Sequence, residues 1–231
     1  INFMFNFLTL FRKTFLKKIN KNFYSQFGED KILFEILKKD YNDGIYVDVG
    51  CFHPKKYSNT YLLFKRGWKG INIDLEQDKI DVFNLARPLD HNIVAAVSNT
   101  SELVKVYKSS HYGVGTTTNF NSITKKDEII ETFDLETKNL NEIIEKSPFK
   151  NDQIDLLNID TEGNDFSVLT SLDMNKYKPN IIIIESHLKT INEIITSDVY
   201  KYLLKNEYNL RSWNFFSLIF VQNNSKIIRN R

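Results

Sequence analysis

Short runs that are apolar on both faces recur along this chain: GIYVDVG (44–50), GINIDL (70–75), HNIVAAVS (91–98), IDLLNID (154–160) and NIIIIES (180–186). A strand with one wet face would alternate apolar and polar residues. These runs do not, so each belongs to a sheet covered on both sides by helices. Helical stretches duly separate them, at Glu29–Lys39, Thr60–Arg66, Ile80–Ala86, Leu140–Glu145 and Phe166–Leu172. The first has Ile32, Leu33, Ile36 and Leu37 on one face, with acids at its start and lysines at its end to complement the helix dipole. Alternation of this kind predicts an α/β fold with a mostly parallel, doubly wound sheet. After a helix carrying Ile191, Ile194, Ile195, Val199, Tyr202 and Leu203, the segment LRSWNFFSLIFVQN (210–223) offers two strand-like runs with no space for a crossover helix. Such neighbours pair as an antiparallel hairpin.

The 231 residues suffice for one α/β domain with a full core. A net charge of +2 with 26% charged residues gives no reason to expect a nucleic-acid partner. Cys51 is the only cysteine, which excludes an internal disulfide or a cysteine-rich metal site and fits a reducing cytoplasm. No run reaches the roughly 18 residues needed to span a bilayer. Residues 1–23 differ from the rest: Arg12, Lys13, Lys17, Lys18 and Lys21 alternate with Phe3, Phe7, Leu10, Phe11, Phe15 and Leu16, and the first acid is Glu29. This basic amphipathic arm is expected to pack on the domain or on the second copy of a homodimer. Peripheral contact with a membrane is the alternative.

Ligands of doubly wound sheets sit at the carboxyl ends of the strands. Asp48 and Gly50 close the first such strand, but bulky residues, Cys51 to Pro54, follow where a dinucleotide fold places further glycines for close approach of a pyrophosphate. A nicotinamide dinucleotide is therefore disfavoured. S-adenosylmethionine, a zwitterion without phosphates, needs only a turn glycine and suitably placed carboxylates. Asp74, which ends the second run 26 residues after Asp48, stands where a carboxylate takes both ribose hydroxyls, unless it is simply a solvated strand-end acid.

These residues resemble the FkbM-type methyltransferases. The likeness is carried by YSQFGED (24–30), YVDVGCFHPKKYSNTYLL (46–63), GWKGINID (67–74), IDLLNIDTEGNDFSVLTSL (154–172) and KPNIIIIE (178–185), in that order. Cys51–Pro54 and Leu75 depart from the commoner pattern. The resemblance implies a Rossmann-like class I methyltransferase domain over residues 24–231. It also implies S-adenosylmethionine as donor and O-methylation of a hydroxyl, often on a sugar or polyketide. It gives Gln26 and Glu29 as polar contacts to the cofactor, beside the alternative that Ser25 and the acids merely cap a helix. Ser58 is expected to cap a helix beginning at Asn59, whose N-terminus would lie by the methionine carboxylate.

Asp160 and Glu185 close the fourth and fifth runs, with Glu162 and His187 two residues beyond each. Methyl transfer to a hydroxyl is an in-line displacement that needs a proton acceptor or a metal to lower the hydroxyl pKa. In one version His187 or His53 takes the proton while Asp160 and Glu162 hold sugar hydroxyls. In the other, Asp160 and Glu185, with Glu162 or a histidine, bind Mg or Mn through hard oxygen ligands. His111 and Tyr112 lie in a polar loop, SSHYGVGTTTNF (109–120), expected to touch the acceptor. A nucleotide-activated sugar or surface glycan precursor is the leading acceptor. A lipid-linked or polyketide hydroxyl, or a non-catalytic binding module on the same fold, are the alternatives.

Overall fold

The computed structural model describes residues 23–109, 116–123 and 128–229. Residues 1–22 of the basic arm and the loop histidine and tyrosine, His111 and Tyr112, lie outside the described residues. A seven-stranded sheet runs β10-β11-β9-β8-β1-β2-β3. Its strands are β1 (Ile45–Val49), β2 (Lys69–Asp74), β3 (His91–Val94), β8 (Leu156–Ile159), β9 (Ile181–Glu185), β10 (Tyr208–Asn214) and β11 (Ser217–Gln222). The pairs from β3 to β9 are parallel; β11 pairs antiparallel with both β9 and β10. The expected α/β sheet with a C-terminal antiparallel hairpin is thus present.

Alternate residues of the central strands enter opposite layers, as the absence of a wet face requires. Val47, Val49, Leu157, Ile159, Ile182 and Ile184 pack on one side with Leu140, Ile143 and Ile144 of α4 (Leu140–Lys146) and Val168 and Leu169 of α5 (Asp165–Thr170). Tyr46, Leu156, Ile181 and Ile183 pack on the other with Leu33 of α1 (Glu29–Ile36), Leu63 of α2 (Tyr61–Phe64) and Trp68. The remaining layer helix near β2 is α3 (Gln77–Ala86), which buries Ile80 and Phe83 against Cys51. Cys51 is buried and unpaired with any other cysteine, a packing residue.

Two sequence expectations change. The helix from Ile191 onward is two helices, α6 (Ile191–Thr196) and α7 (Asp198–Lys205). Ser197 ends one and begins the next: its hydroxyl donates to Ile194 O at 2.7 Å and accepts from Tyr200 N at 3.2 Å. The stretch after the third run is not a plain loop. The third run itself divides into β3 and β4 (Ala96–Val97), and β4 joins β5 (Leu103–Ser109), β6 (Thr116–Thr117) and β7 (Ile129–Lys138) beyond it in a second sheet ordered β4-β7-β5-β6. Val106 is fully buried, while Lys105 and most of β7 face water, so the period-2 signal is carried by few apolar residues.

Among the described residues no helix is long and apolar enough to cross a membrane.

Candidate active site

Parallel pairing in register brings the carboxyl ends of β2, β1, β8 and β9 side by side, with Val49 opposite both Ile73 and Ile159, and Ile159 opposite Ile184. Asp74, Gly50, Asp160 and Glu185 therefore share one edge, and a cleft of about 380 Å³ opens there. Gln26, Asp48, Gly50, Ser58, Asn59, Asp74, Asp160, Glu162, Glu185 and His187 all line it, joined by Phe52, Tyr57, Lys79, Asn158 and Phe216. A smaller recess of about 50 Å³ adjoins it, floored by Leu75 and Ala95 to Val97 and sharing Gly50, Asp74 and Asp160.

Gly50 takes φ +79°, and a Cβ built on it would lie 1.7 Å from Asp160 O. One glycine is needed at this point because β1 and β8 close on each other where the turn begins. Asp48 is buried with both oxygens engaged: Oδ2 accepts from Thr60 Oγ1 at 2.7 Å, Oδ1 from Asn158 Nδ2 at 2.8 Å. Asn158 in turn accepts from Asn59 at 2.9 Å. Burial pushes the Asp48 carboxyl pKa up, and these donors together with the Arg87 charge oppose that push. Asp48 braces the floor of the cleft and leaves the polar surface to its neighbours.

Arg87, which the sequence reading did not single out, organises the same wall. It is fully buried and donates to Tyr46 Oη (3.1 Å), Thr60 Oγ1 (2.9 Å), Ser58 Oγ (3.1 Å) and Pro54 O. In the sequence it reads as an ordinary basic residue at a helix end, where a cation complements the dipole. Only the fold turns it inward to tie residues 54–60 to the end of α3. An Arg87→Met variant is expected to weaken S-adenosylhomocysteine binding at least tenfold, and Thr60→Val severalfold, since one link of a neutral-to-charged hydrogen bond is worth about 1.5–3 kcal/mol. Titration calorimetry checks both, with circular dichroism establishing that each variant is folded.

Asp74 accepts from Phe52 N (3.2 Å) and Glu76 N (3.1 Å), and Lys79 Nζ stands 3.3 Å away. Glu76 joins this end of β2 to the second sheet through Thr116 and through Lys108 at 2.5 Å, and to Lys79 at 2.9 Å. Burial alone would raise the Glu76 pKa, but hydrogen bonds from Lys108, Thr116 and Lys79 outweigh it and pull the value down to about 2.

Several expected residues have other employment. Glu29 is buried and does not line the cleft; its carboxylate accepts from Phe27 N at 3.0 Å and Ser217 Oγ at 3.2 Å. The YSQFGED segment is instead a self-bonded turn, with Ser25 donating to Asp30 at 2.6 Å and accepting from Gly28 N at 3.0 Å, and only Gln26 reaches the cleft. Ser58 accepts from Tyr61 N at 3.1 Å, but the helix starts at Tyr61 with Thr60 as its N-cap, so Ser58 is not the cap and Asn59 is not the first helical residue. His53 is kept from the base role: Nδ1 accepts from Lys55 N and Lys56 N at 3.0 Å each, and burial together with Lys56 lowers its pKa. It is a turn anchor outside the cleft lining.

The acids beyond β8 and β9 do converge. Glu162 sits in a turn at φ +54°, followed by Gly163 at +101°, and its carbonyl accepts from Ser122 Oγ at 2.5 Å. Asp165 shapes that turn by accepting from Thr161 N at 2.8 Å and Gly163 N at 3.1 Å. Burial and then the Asp160 and Asp165 charges raise the Glu162 pKa to about 8; burial and then Glu162 and Asp165 raise that of Glu185 to about 8. Asp160 is pushed well above the carboxylate range, by its protein surroundings first and then by Glu185, Asp165 and Asp48. Its side of the cleft admits solvent, which moderates the first cause and leaves the direction, since three carboxylates still surround it. Glu185 shares a hydrogen bond with Asp160, and its Oε1 lies 3.3 Å from His187 Nε2.

Ligand atoms of Glu162, Glu185 and His187 all lie within 4.8 Å of one another. Among the described residues the metal-capable group is therefore these three: of the expected set, Glu185, Glu162 and a histidine belong to it and Asp160 does not. Hard oxygens and one imidazole suit a cation such as Mg or Mn.

Among curated proteins no sequence match is found. A solved structure, a TehB-like SAM-dependent methyltransferase from Corynebacterium glutamicum, aligns over 94% of this chain and 96% of its own at 12% identity and a TM-score of 0.42, too loosely to bear on function. The family model described as the methyltransferase FkbM domain matches residues 41–210, a span that runs from before β1 into β10 and includes all four acid-bearing strand ends. The chain belongs to the FkbM methyltransferase family, for which S-adenosylmethionine is the implied methyl donor.

Proposed function

We propose that the protein transfers a methyl group from S-adenosylmethionine to a hydroxyl of a sugar, carried on an activated nucleotide or a surface glycan precursor. The observation that carries this reading is the meeting of Asp160, Glu162, Glu185 and His187 in the same cleft as Gly50 and Asp74. The recess by Leu75 and Ala95 to Val97 offers an apolar shelf for a purine, and Asp74 beside it a carboxylate for the ribose hydroxyls. Above the acids, Phe52 and Tyr57 stack at 6.3 Å on one wall, and Phe216 packs 5.2 Å from His187 on the other. Flat aromatic walls over a carboxylate floor suit a polyhydroxylated ring, which offers C–H faces to the rings and O–H donors to the acids.

In this mechanism the acceptor hydroxyl donates its proton to His187 Nδ1, the ring nitrogen opposite the one that faces Glu185, as its oxygen forms a bond to the methyl carbon. The carbon–sulfur bond breaks, and S-adenosylhomocysteine leaves as a neutral thioether. Glu185, 3.3 Å from His187, stabilises the imidazolium so formed. Asp160 and Glu162 hold neighbouring hydroxyls. A second reading is favoured by the proximity of Glu162, Glu185 and His187. These residues would hold a divalent cation, whose Lewis acidity would make the hydroxyl more acidic.

The test is calorimetric titration of S-adenosylhomocysteine into wild type and Asp74→Ala, followed by transfer of labelled methyl to a panel of sugar nucleotides, before and after chelation and readdition of Mn. Nanomolar to micromolar binding is expected, weakened roughly 10- to 100-fold in the variant by loss of about 1.5–3 kcal/mol of charged hydrogen bonding. Absence of binding sinks the donor assignment. Binding with no transfer to any acceptor supports a non-catalytic module, and loss of transfer on chelation selects the metal reading.

A further inference from the structure

The mouth of the cleft carries more exposed aromatic surface than the walls that hold an acceptor ring, since Phe215, Phe23 and Trp213 lie outside the cleft lining. Its lips expose large aromatic side chains: Tyr57 is 45% exposed on one side, and Phe215 and Phe216 are 68% and 43% exposed at the turn between β10 and β11 on the other. Phe23 and Trp213 add further exposed rings at 42% and 38%. Tyr24 and Phe27 join the lips: Phe27 stacks on Phe215 at 4.8 Å, while Tyr24 meets Tyr61 at 4.5 Å and lies under the ammonium groups of Lys55 and Lys65 at 6.0 and 5.6 Å.

Two observations separate this rim from a chance scatter of apolar surface. Among the described residues, the non-glycine positions with positive φ are Phe52 (+45°), Tyr57 (+57°), Glu162, Glu207 and Phe215 (+49°). Aromatic residues resist that conformation, yet both lips spend backbone strain on presenting one outward. The charge is also segregated. Residues 51–66 and 208–222, the segments that carry the lips, contain no Asp or Glu, although the chain has 29 such residues. Their cations include Lys55, Lys56 and Lys65 on one lip.

Protruding aromatic rings among lysines, with no acid between them, match the headgroup zone of an anionic bilayer, where rings seat at the interface and lysines meet lipid phosphates. A nucleic acid fits less well, because the cleft between the lips is floored by Asp160, Glu162 and Glu185, which repel a phosphate backbone. A second copy of this chain fits less well too: a two-fold contact would press one acid-free cationic face against another. We propose that this rim docks the protein on an anionic membrane surface, so that the cleft opens toward acceptors presented there. The docking stands apart from the acceptor chemistry. Only the statement about acceptors rests on the methyltransferase reading.

The experiment is flotation of the full chain with vesicles of phosphatidylglycerol and phosphatidylcholine, and with phosphatidylcholine alone. The triple variant Phe215→Ser, Lys55→Glu, Lys65→Glu is run beside wild type, with S-adenosylhomocysteine titration of both proteins. Phe215, Lys55 and Lys65 do not line the cleft, so cofactor affinity is expected to be unchanged. Wild type is expected to float with anionic vesicles only, less so at high salt, and the variant to bind at least tenfold more weakly. The proposal is overturned if wild type fails to float, floats equally with neutral vesicles, or keeps its binding in the variant. It is also overturned if the variant's main effect is to split a dimer in sedimentation. Cofactor binding without flotation would remove the docking and leave the methyltransferase reading intact; flotation without cofactor binding would do the reverse.

Discussion

A Gly50→Ala variant is expected to lose S-adenosylhomocysteine binding by at least a hundredfold and to melt roughly 5–15 °C below wild type. The added methyl would sit 1.7 Å from the Asp160 carbonyl oxygen, a backbone atom of the neighbouring strand end. That atom has little freedom to retreat, because Asp160 N is bound to Val49 O at 3.0 Å and Gly50 N to Ile73 O at 2.9 Å. Overpacking and a positive φ together cost about 2–5 kcal/mol. The cheapest relaxation splays β1 from β8, which moves Asp48 and Asp160 apart at the floor of the cleft. Gly28→Ala is the control: φ is +93° there, but a Cβ meets nothing within 4 Å. It should cost only about 1 kcal/mol from the backbone and leave cofactor affinity near wild type. Calorimetry and thermal melts of the two variants separate collision from strain. Equal effects would mean that close approach at Gly50 is not what shapes the site.

Glu185→Gln should do two opposite things, lowering methyl transfer by about 10²- to 10³-fold while stabilising the protein at alkaline pH. The carboxyl has its pKa raised from 4.5 to about 8 by burial, Glu162 and Asp165. Because the folded value lies above the unfolded one, the folded state holds a proton that the unfolded chain has released. Stability from this group is complete below about pH 4.5 and declines until pH passes about 8. Wild type should therefore melt at progressively lower temperature from pH 5 to 9. Glutamine keeps the shape without the ionisation and should flatten part of that slope, the rest belonging to Glu162, whose pKa is also about 8, and to Asp160, whose carboxyl is raised in the same direction. Methyl transfer by wild type should rise over the same interval, as Glu185 ionises and can support an imidazolium at His187. A variant as pH-sensitive in melting as wild type would remove Glu185 from the coupled cluster.

The burden these acids place on folding explains why the site was only partly legible in the sequence. Runs apolar on both faces, such as Ile181 to Ile184, dictate strands between layers, and strands between layers dictate that Asp48, Asp74, Asp160 and Glu185 end at one edge. These conclusions need only periodicity and polypeptide geometry, so the sequence alone was enough for the sheet, the hairpin and the residues that could meet. It could not decide which of the residues at that edge turn into the cleft. Glu29 is drawn to Ser217, and His53 to the amides of Lys55 and Lys56, by partners that only folding brings within reach or orients. Arg87 gains its place from Tyr46, Ser58 and Thr60, which lie 27 to 41 positions away. The second sheet escaped because its strands bury few side chains, leaving hydrogen-bonded pairing between β5 and β7 to hold what hydropathy does not mark. Alternation along a strand is local and is written in the chain. The choice of partner for a polar side chain is made across the fold, where desolvation decides which carboxylate keeps its proton.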